Sequence, residues 1–339
     1  MRKLISVCLL LAMFACLCGC RKDIANTEQT TMASTEPEQI LPEDVPIDPD
    51  HMLHDKRVIF VGNSYTHYGN CVITKGVQIQ DQIQRDNDPG YFYQICRRQG
   101  AKVRVTNWTY GTHSLEDLFG GNCAAGKGCD GVNHKYFLKD PYYDYVFLQE
   151  HTGADIGPAD LMINVDRAAD FFREANPNVK IILLVPFRIY DAQYQTNRNW
   201  LPFLKEIAEK GIQIVEWGAL VEDVIQGKAV VEGGQMTYNR NSFIVDQSEI
   251  DGYHQNMLAG YITAQMAYCA ITGEPAQGMP YDFCTNSVIH NKFSTTSYEE
   301  KHYTRGPTNM ASIFASSADM AGLQKLMDQY PAQKRYLTY

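Results

Sequence analysis

Residues 51–339 read as short apolar runs separated by longer amphipathic stretches. The first run, residues 58–61 (VIFV), is unbroken and stops at Gly62-Asn63-Ser64. An unbroken run of this length marks a strand buried on both faces. Residues 72–99 read as mainly helical, with an interruption at Asp88-Pro89-Gly90. Residues 102–108 (KVRVTNW) alternate and are rich in β-branched side chains, which predicts a second strand. Residues 142–149 (YYDYVFLQ), 179–185 (VKIILLV) and 212–217 (IQIVEW) supply three more. The fourth run is the most apolar and is expected at the centre of the sheet.

Helices are expected from Ser114, over 160–175 with Asp160 as its cap, and over 197–210. Residues 220–234 predict a short helix and turn. A long helix over 255–271 ends before Gly273, and a last one covers 309–327. Strands alternating with helices predict an α/β fold, a five-stranded parallel sheet covered on both faces.

The amino terminus has a different pattern. Arg2 and Lys3 precede an apolar run over residues 4–18, short of the roughly 20 residues that a membrane-spanning helix needs. A basic start before a short apolar segment is the form of an export signal. Its end, Leu17-Cys18-Gly19-Cys20, resembles the lipobox of bacterial lipoproteins. The resemblance implies a signal peptide over 1–19, cleavage before Cys20 and lipidation of the Cys20 thiol. The expected location is the bacterial cell envelope, outside the cytoplasm, with the lipid as the sole membrane contact. Residues 20–50 are rich in Thr, Glu and Pro and poor in large apolar groups. Such a stretch buries too little surface to offset its ordering entropy and is expected to be a disordered tether. As a flexible chain it would reach roughly 30 Å.

Charge narrows the partners. The chain carries −9 in total, and its tether is acidic, with two basic and eight acidic residues. No basic patch is visible, so nucleic acid is not an expected partner. Composition is ordinary for a globular protein, 45% hydrophobic and 20% charged, and residues 51–339 are expected to form one domain. Of ten cysteines, six lie beyond the leader. Export permits disulfides, and Cys123–Cys129, Cys71–Cys96 and Cys269–Cys284 are candidate pairs, although sequence does not fix connectivity. No zinc-type cysteine or histidine spacing occurs, and no metal or other cofactor is expected.

The candidate chemistry gathers around Ser64. A strand ending in Gly-x-Ser presents a hydroxyl at the carboxyl edge of a sheet, where open α/β sheets bind ligands. A serine nucleophile needs a base. Asp251-Gly252-Tyr253-His254, just before the long carboxy-terminal helix, offers one. Three residues apart, the carboxylate can orient the imidazole and stabilise its charged form. A helix cap by Asp251 beside an incidental histidine is the competing reading. Oxyanion donors would be the backbone N–H of Ser64, that of Gly111 past the second strand, and the side-chain amide of Gln149 at the end of the third.

Together, strand-Gly62-Asn63-Ser64, Gly111, Gln149 and Asp251-x-x-His254 resemble the SGNH (GDSL-type) hydrolase superfamily, in order and spacing, over roughly residues 58–268. The resemblance implies a flavodoxin-like three-layer α/β/α fold. It also implies a Ser64–His254–Asp251 triad acting through an acyl-enzyme, with Gly111 as second oxyanion donor. Asn63 replaces the commoner Asp with little expected consequence. Leu148-Gln149-Glu150 replaces the usual Gly-x-Asn-Asp, which leaves the third donor to the longer Gln149 amide. The expected function is ester hydrolysis, with O-acetyl or other acyl groups on glycans favoured by export. A non-catalytic glycan-binding protein on the same fold and a lipase or phospholipase are the alternatives. His67, Trp108 and His151 are candidates for substrate contact. Tyr65 and His113 lie nearby in sequence, and Trp200 and Tyr110 could extend an aromatic wall.

Overall fold

The apolar run at residues 58–61 lies next to the centre of a five-stranded parallel sheet of order β2-β1-β3-β4-β5. The strands are β1 (Arg57–Gly62), β2 (Arg104–Thr109), β3 (Tyr145–Leu148), β4 (Lys180–Leu184) and β5 (Gln213–Val215). The computed structural model describes residues 45–72, 90–109, 111–120, 140–152, 156–190, 200–244, 254–281 and 317–330. All belong to one compact unit, Gln39–Tyr339. The α-helices among them are α1 (Ser64–His67), α2 (Tyr91–Arg98), α3 (Leu115–Phe119), α4 (Pro158–Ala175), α5 (Leu201–Glu209), α6 (Trp217–Ile225), α7 (Met257–Thr272) and α8 (Ser317–Gln329).

Strand alternation builds two cores, one on each face of the sheet. Val58, Phe60, Phe147, Ile182 and Val215 pack with residues of α2, α6, α7 and α8. Ile59, Val61, Leu148, Leu183 and Ile214 pack with α3, α4 and α5. Side chains alternate sides along each strand, so unbroken apolar runs serve both faces and the α/β/α layering follows. Phe60 stacks on Phe147 across β1 and β3, with centroids 4.4 Å apart.

The order 2-1-3-4-5 has its switch point between β1 and β3, because β2 lies on one side of β1 and the remaining strands on the other. Ligand crevices in open α/β sheets form at such points. Register levels the strand ends there: Gly62 pairs with Thr109, and Val61 with Leu148.

Several local expectations are corrected. The central strand is β3, not the more apolar β4, because both are interior and hydrophobicity does not rank interior strands. Asp160 sits in the first turn of α4, where its Oδ2 accepts from Gly157 N at 3.1 Å, while Pro158 opens the helix. Trp217 begins α6 rather than ending β5. Residues 45–50, expected in the tether, already lie on the folded body: Asp48 N donates to Gly100 O, and Arg97 Nη2 to Val45 O. Cys71, Cys96 and Cys269 are thiols, so the Cys71–Cys96 and Cys269–Cys284 pairs are not formed. Cys71 and Cys96 are instead small apolar groups of the core, and burial pushes the Cys269 thiol up to about 12. Cys123, Cys129, Cys284 and the leader with Cys20 lie outside the described residues. Among the described residues, no helix is long and apolar enough to cross a membrane.

Candidate active site

Ser64 is the first residue of α1, immediately after β1. Asn63 caps this short helix, its Oδ1 accepting from Tyr65 N at 3.1 Å. Gly62 is required by space. A Cβ there would come 2.9 Å from the backbone oxygen of Gln149 and 3.0 Å from its Cβ. The serine is half-buried, and its Oγ lies 2.7 Å from Nε2 of His254. The two residues are 190 positions apart in the chain.

His254 stands three residues ahead of α7, which Asn256 caps by accepting from Leu258 N and Ala259 N. The next residue, Gln255, forms an isolated antiparallel bridge with Ile244, and its Nε2 donates to Tyr65 O at 2.7 Å. The histidine's segment is therefore tied directly to the helix carrying the serine. Asp251 and Tyr110 lie outside the described residues.

Gln149 is fully buried and braces the serine turn from below. Its Oε1 accepts from Asn63 N and from Thr66 Oγ1, each at 3.1 Å, and its Nε2 donates to the Glu150 carbonyl. One of the two Nε2 hydrogens thus has a backbone partner, and the oxygen end braces the serine turn. Asn63 adds a second strut, since its Nδ2 donates to His113 O at 2.9 Å. His113 Nδ1 in turn donates to Gly111 O at 2.8 Å. Gly111 is half-buried in the loop after β2, so the expected donor loop is pinned to the serine turn through Asn63. That substitution, expected to matter little, supplies a donor that a carboxylate lacks.

Glu150 organises the same edge. Its carboxylate accepts from Leu115 N at 2.9 Å, His151 N at 2.6 Å and Asn164 Nδ2 at 3.0 Å. It joins the end of β3 to the start of α3 and to the body of α4. Burial pushes its carboxyl up to about 7, partly offset by these bonds.

The remaining candidates separate. His67 is buried rather than at a pocket mouth. Thr109 Oγ1 donates to Asn107 Oδ1 at 2.7 Å, so toward His67 Nδ1, 3.0 Å away, it acts as acceptor. That places a proton on Nδ1. Burial, with the adjoining His254 as a smaller cause, pushes His67 down to about 3 and keeps it neutral. Trp108 is a core residue, 3% exposed and edge-on to Phe119 at 5.3 Å, not a wall of the site. Trp200 is likewise buried, its Nε1 donating to Ile156 O. His151 is half-buried in the loop after β3. Among the described residues, no group of three or more His, Cys, Asp or Glu is placed to hold a metal ion.

Sequence reasoning missed Tyr68. Its ring stacks on the His254 imidazole with centroids 4.1 Å apart and planes 19° off parallel. Tyr65 stacks on the same imidazole at 5.0 Å and 27°. The available signal was spacing: Ser64 and Tyr68 are four apart, which places neighbours on one side of a helical turn.

No known family model matches the chain, and no curated protein matches it. Solved structures do. A DUF4886 family protein from Bacteroides uniformis is 15% identical, over 84% of this chain and 98% of that one, with a TM-score of 0.48. An acetyl-xylooligosaccharide esterase from Geobacillus stearothermophilus is 16% identical, over 66% and 96%, with a TM-score of 0.42. A candidate GDSL-like lipase from Parabacteroides merdae is 15% identical, over 65% and 96%, also at 0.42.

Proposed function

We propose that this protein is a serine esterase that hydrolyses acyl esters through Ser64 and His254. The contact that carries the reading is the 2.7 Å approach of Ser64 Oγ to His254 Nε2 at the sheet's switch point. A hydroxyl bonded to an imidazole at the carboxyl edge of a parallel sheet, where open α/β sheets bind ligands, is the minimum arrangement for nucleophilic acyl transfer.

In the proposed reaction, Ser64 Oγ attacks the ester carbonyl carbon and its proton passes to His254 Nε2. The tetrahedral oxyanion is held by the backbone N–H of Ser64 and of Gly111. Loss of one such donor typically costs about 10²–10³ in rate. Collapse expels the alcohol, which takes the proton from His254. Water, deprotonated by the same imidazole, then attacks the acyl carbon, and His254 returns that proton to Ser64 Oγ as the acid leaves. Asp251 is assigned to orient His254. Gln149 is assigned to hold the serine turn through Oε1, and the N–H of its amide not bonded to Glu150 O is assigned as the third donor. No metal or organic cofactor takes part.

The favoured substrate class is an O-acetyl or other small acyl ester on a glycan, met outside the cytoplasm by a protein anchored through a lipid on Cys20. A purely glycan-binding role would draw on the engagement of the Gln149 amide, but it leaves the Ser64–His254 pairing without a purpose. Hydrolysis of p-nitrophenyl acetate and acetylated xylooligosaccharides by the protein lacking residues 1–20, beside Ser64→Ala, tests the reading. Release of acetate by the unsubstituted protein and its loss in Ser64→Ala are expected. Equal rates would remove the serine mechanism.

A further inference from the structure

We propose that Tyr65 and Tyr68 are positioning residues that hold the His254 imidazole in place while it takes and returns the serine proton. The inference rests on Ser64 and His254 being nucleophile and base, and it concerns what keeps that base aligned.

Both tyrosines stack nearly parallel to the imidazole, Tyr68 at 4.1 Å and Tyr65 at 5.0 Å between centroids. Both are carried by the segment that begins with Ser64: Tyr65 is the second residue of α1 and Tyr68 its C-cap. The hydroxyl and the rings that hold its base therefore move as one unit. A histidine on a separate segment 190 positions away has no covalent reason to keep this register. Stacking supplies one, since aromatic faces restrict tilt and rotation without occupying either ring nitrogen. Nε2 remains directed at Ser64, and Nδ1 is left to other partners.

The clamp is itself anchored. Arg188, on the turn Phe187–Ile189 after β4, donates from Nη1 to the Tyr65 hydroxyl at 3.1 Å. Tyr65 N is held by Asn63 Oδ1, and Tyr65 O by Gln255 Nε2. Tyr65 and Tyr68 are 3% and 7% exposed, so the surrounding packing fixes both rings. Face-on aromatics also suit a ring that becomes cationic in mid-reaction, because their electron-rich faces attract positive charge. His67 stays neutral beside it, so no second imidazolium opposes that charge.

The test is steady-state kinetics of Tyr68→Leu, Tyr68→Phe and Tyr65→Leu on p-nitrophenyl acetate, with urea unfolding of each. Misalignment of a reacting group by about 1 Å can cost around 10²-fold. Tyr68→Leu is expected to lower kcat by about 10- to 100-fold with KM within about threefold, and Tyr68→Phe to recover most of that loss. Tyr65→Leu, which retains the closer Tyr68 ring, provides the same reading if Tyr68→Leu does not fold, with a smaller fall in kcat. A kcat within twofold of the unsubstituted protein in both leucine variants overturns the proposal. So does a Tyr68→Phe variant as slow as Tyr68→Leu, which would assign the effect to the hydroxyl. An unsubstituted protein no faster than Ser64→Ala overturns the esterase reading instead, which separates the two failures.

Discussion

Gly69 and Gly260 pack backbone against backbone. A Cβ at Gly260 would overlap the carbonyl oxygen of Gly69, and one at Gly69 would overlap the carbonyl of Asn256. Gly69 also has φ +73°, a conformation that glycine adopts without strain. It follows α1, which begins with Ser64, and Gly260 lies on α7, just past His254. This contact sets the spacing between the serine-bearing turn and the histidine-bearing segment. Gly260→Ala should cost about 1–3 kcal/mol by overpacking against a backbone that cannot yield cheaply. Esterase activity should fall by more than the folded fraction explains. Urea unfolding, paired with kcat on the folded protein, checks both.

Gln149 is the second control on the serine turn. Gln149→Ala would leave Asn63 N and Thr66 Oγ1 without their shared acceptor in a fully buried place. Each orphaned group costs about 1–3 kcal/mol, so a loss of about 2–6 kcal/mol is expected. Gln149→Glu keeps the acceptor but sets a carboxylate oxygen against the Glu150 carbonyl, so it should regain stability over the alanine variant only at a pH that protonates it. Equilibrium unfolding of the two variants measures the difference.

Asn63→Asp isolates one bond. The carboxylate can still cap Tyr65 N, but it cannot donate to His113 O. Loss of that bond should loosen the Gly111 loop and lower kcat/KM by about 5- to 10-fold, the equivalent of roughly 1 kcal/mol. Stability should change little. An unchanged kcat/KM would remove the Asn63 strut from the account.

Glu150 should make stability depend on pH. Its folded pKa, about 7, lies above the ordinary 4.5. The folded state keeps this proton over a range where the unfolded chain has released it. The contribution is therefore complete below pH 4.5 and is lost as pH rises through 7, by roughly 3 kcal/mol. Glu150→Gln, whose amide oxygen can still accept from Leu115 N and His151 N, should remove this part of the slope. Chemical unfolding of both proteins from pH 5 to 8 gives the comparison.

The sheet was legible because its strands are short apolar or alternating β-branched runs with clear ends. Their order was less so: β4 is the most apolar strand, yet β3 is central, and pairing order is not a local property of sequence. Ser64 and His254 could be paired across 190 positions only because both fall in recognisable surroundings, a strand end and a helix start. Residues whose role depends on which of their atoms faces which neighbour were not legible. Gln149 carries both a donor and an acceptor, and sequence gave no reason to choose the acceptor. Trp108 stands at a strand end, but strand alternation turns it into the core beside Phe119. Tyr68 acts through the face of its ring, which leaves no polar signature in sequence.

The central claim is that Ser64 is a nucleophile activated by His254. Reaction with a fluorophosphonate probe, followed by mass spectrometry of the labelled peptide, tests it most directly. The account predicts stoichiometric label on Ser64, none in Ser64→Ala, and labelling slowed by at least about 10²-fold in His254→Ala, the low end for loss of a general base. Label on another residue, or unchanged labelling in His254→Ala, would contradict it.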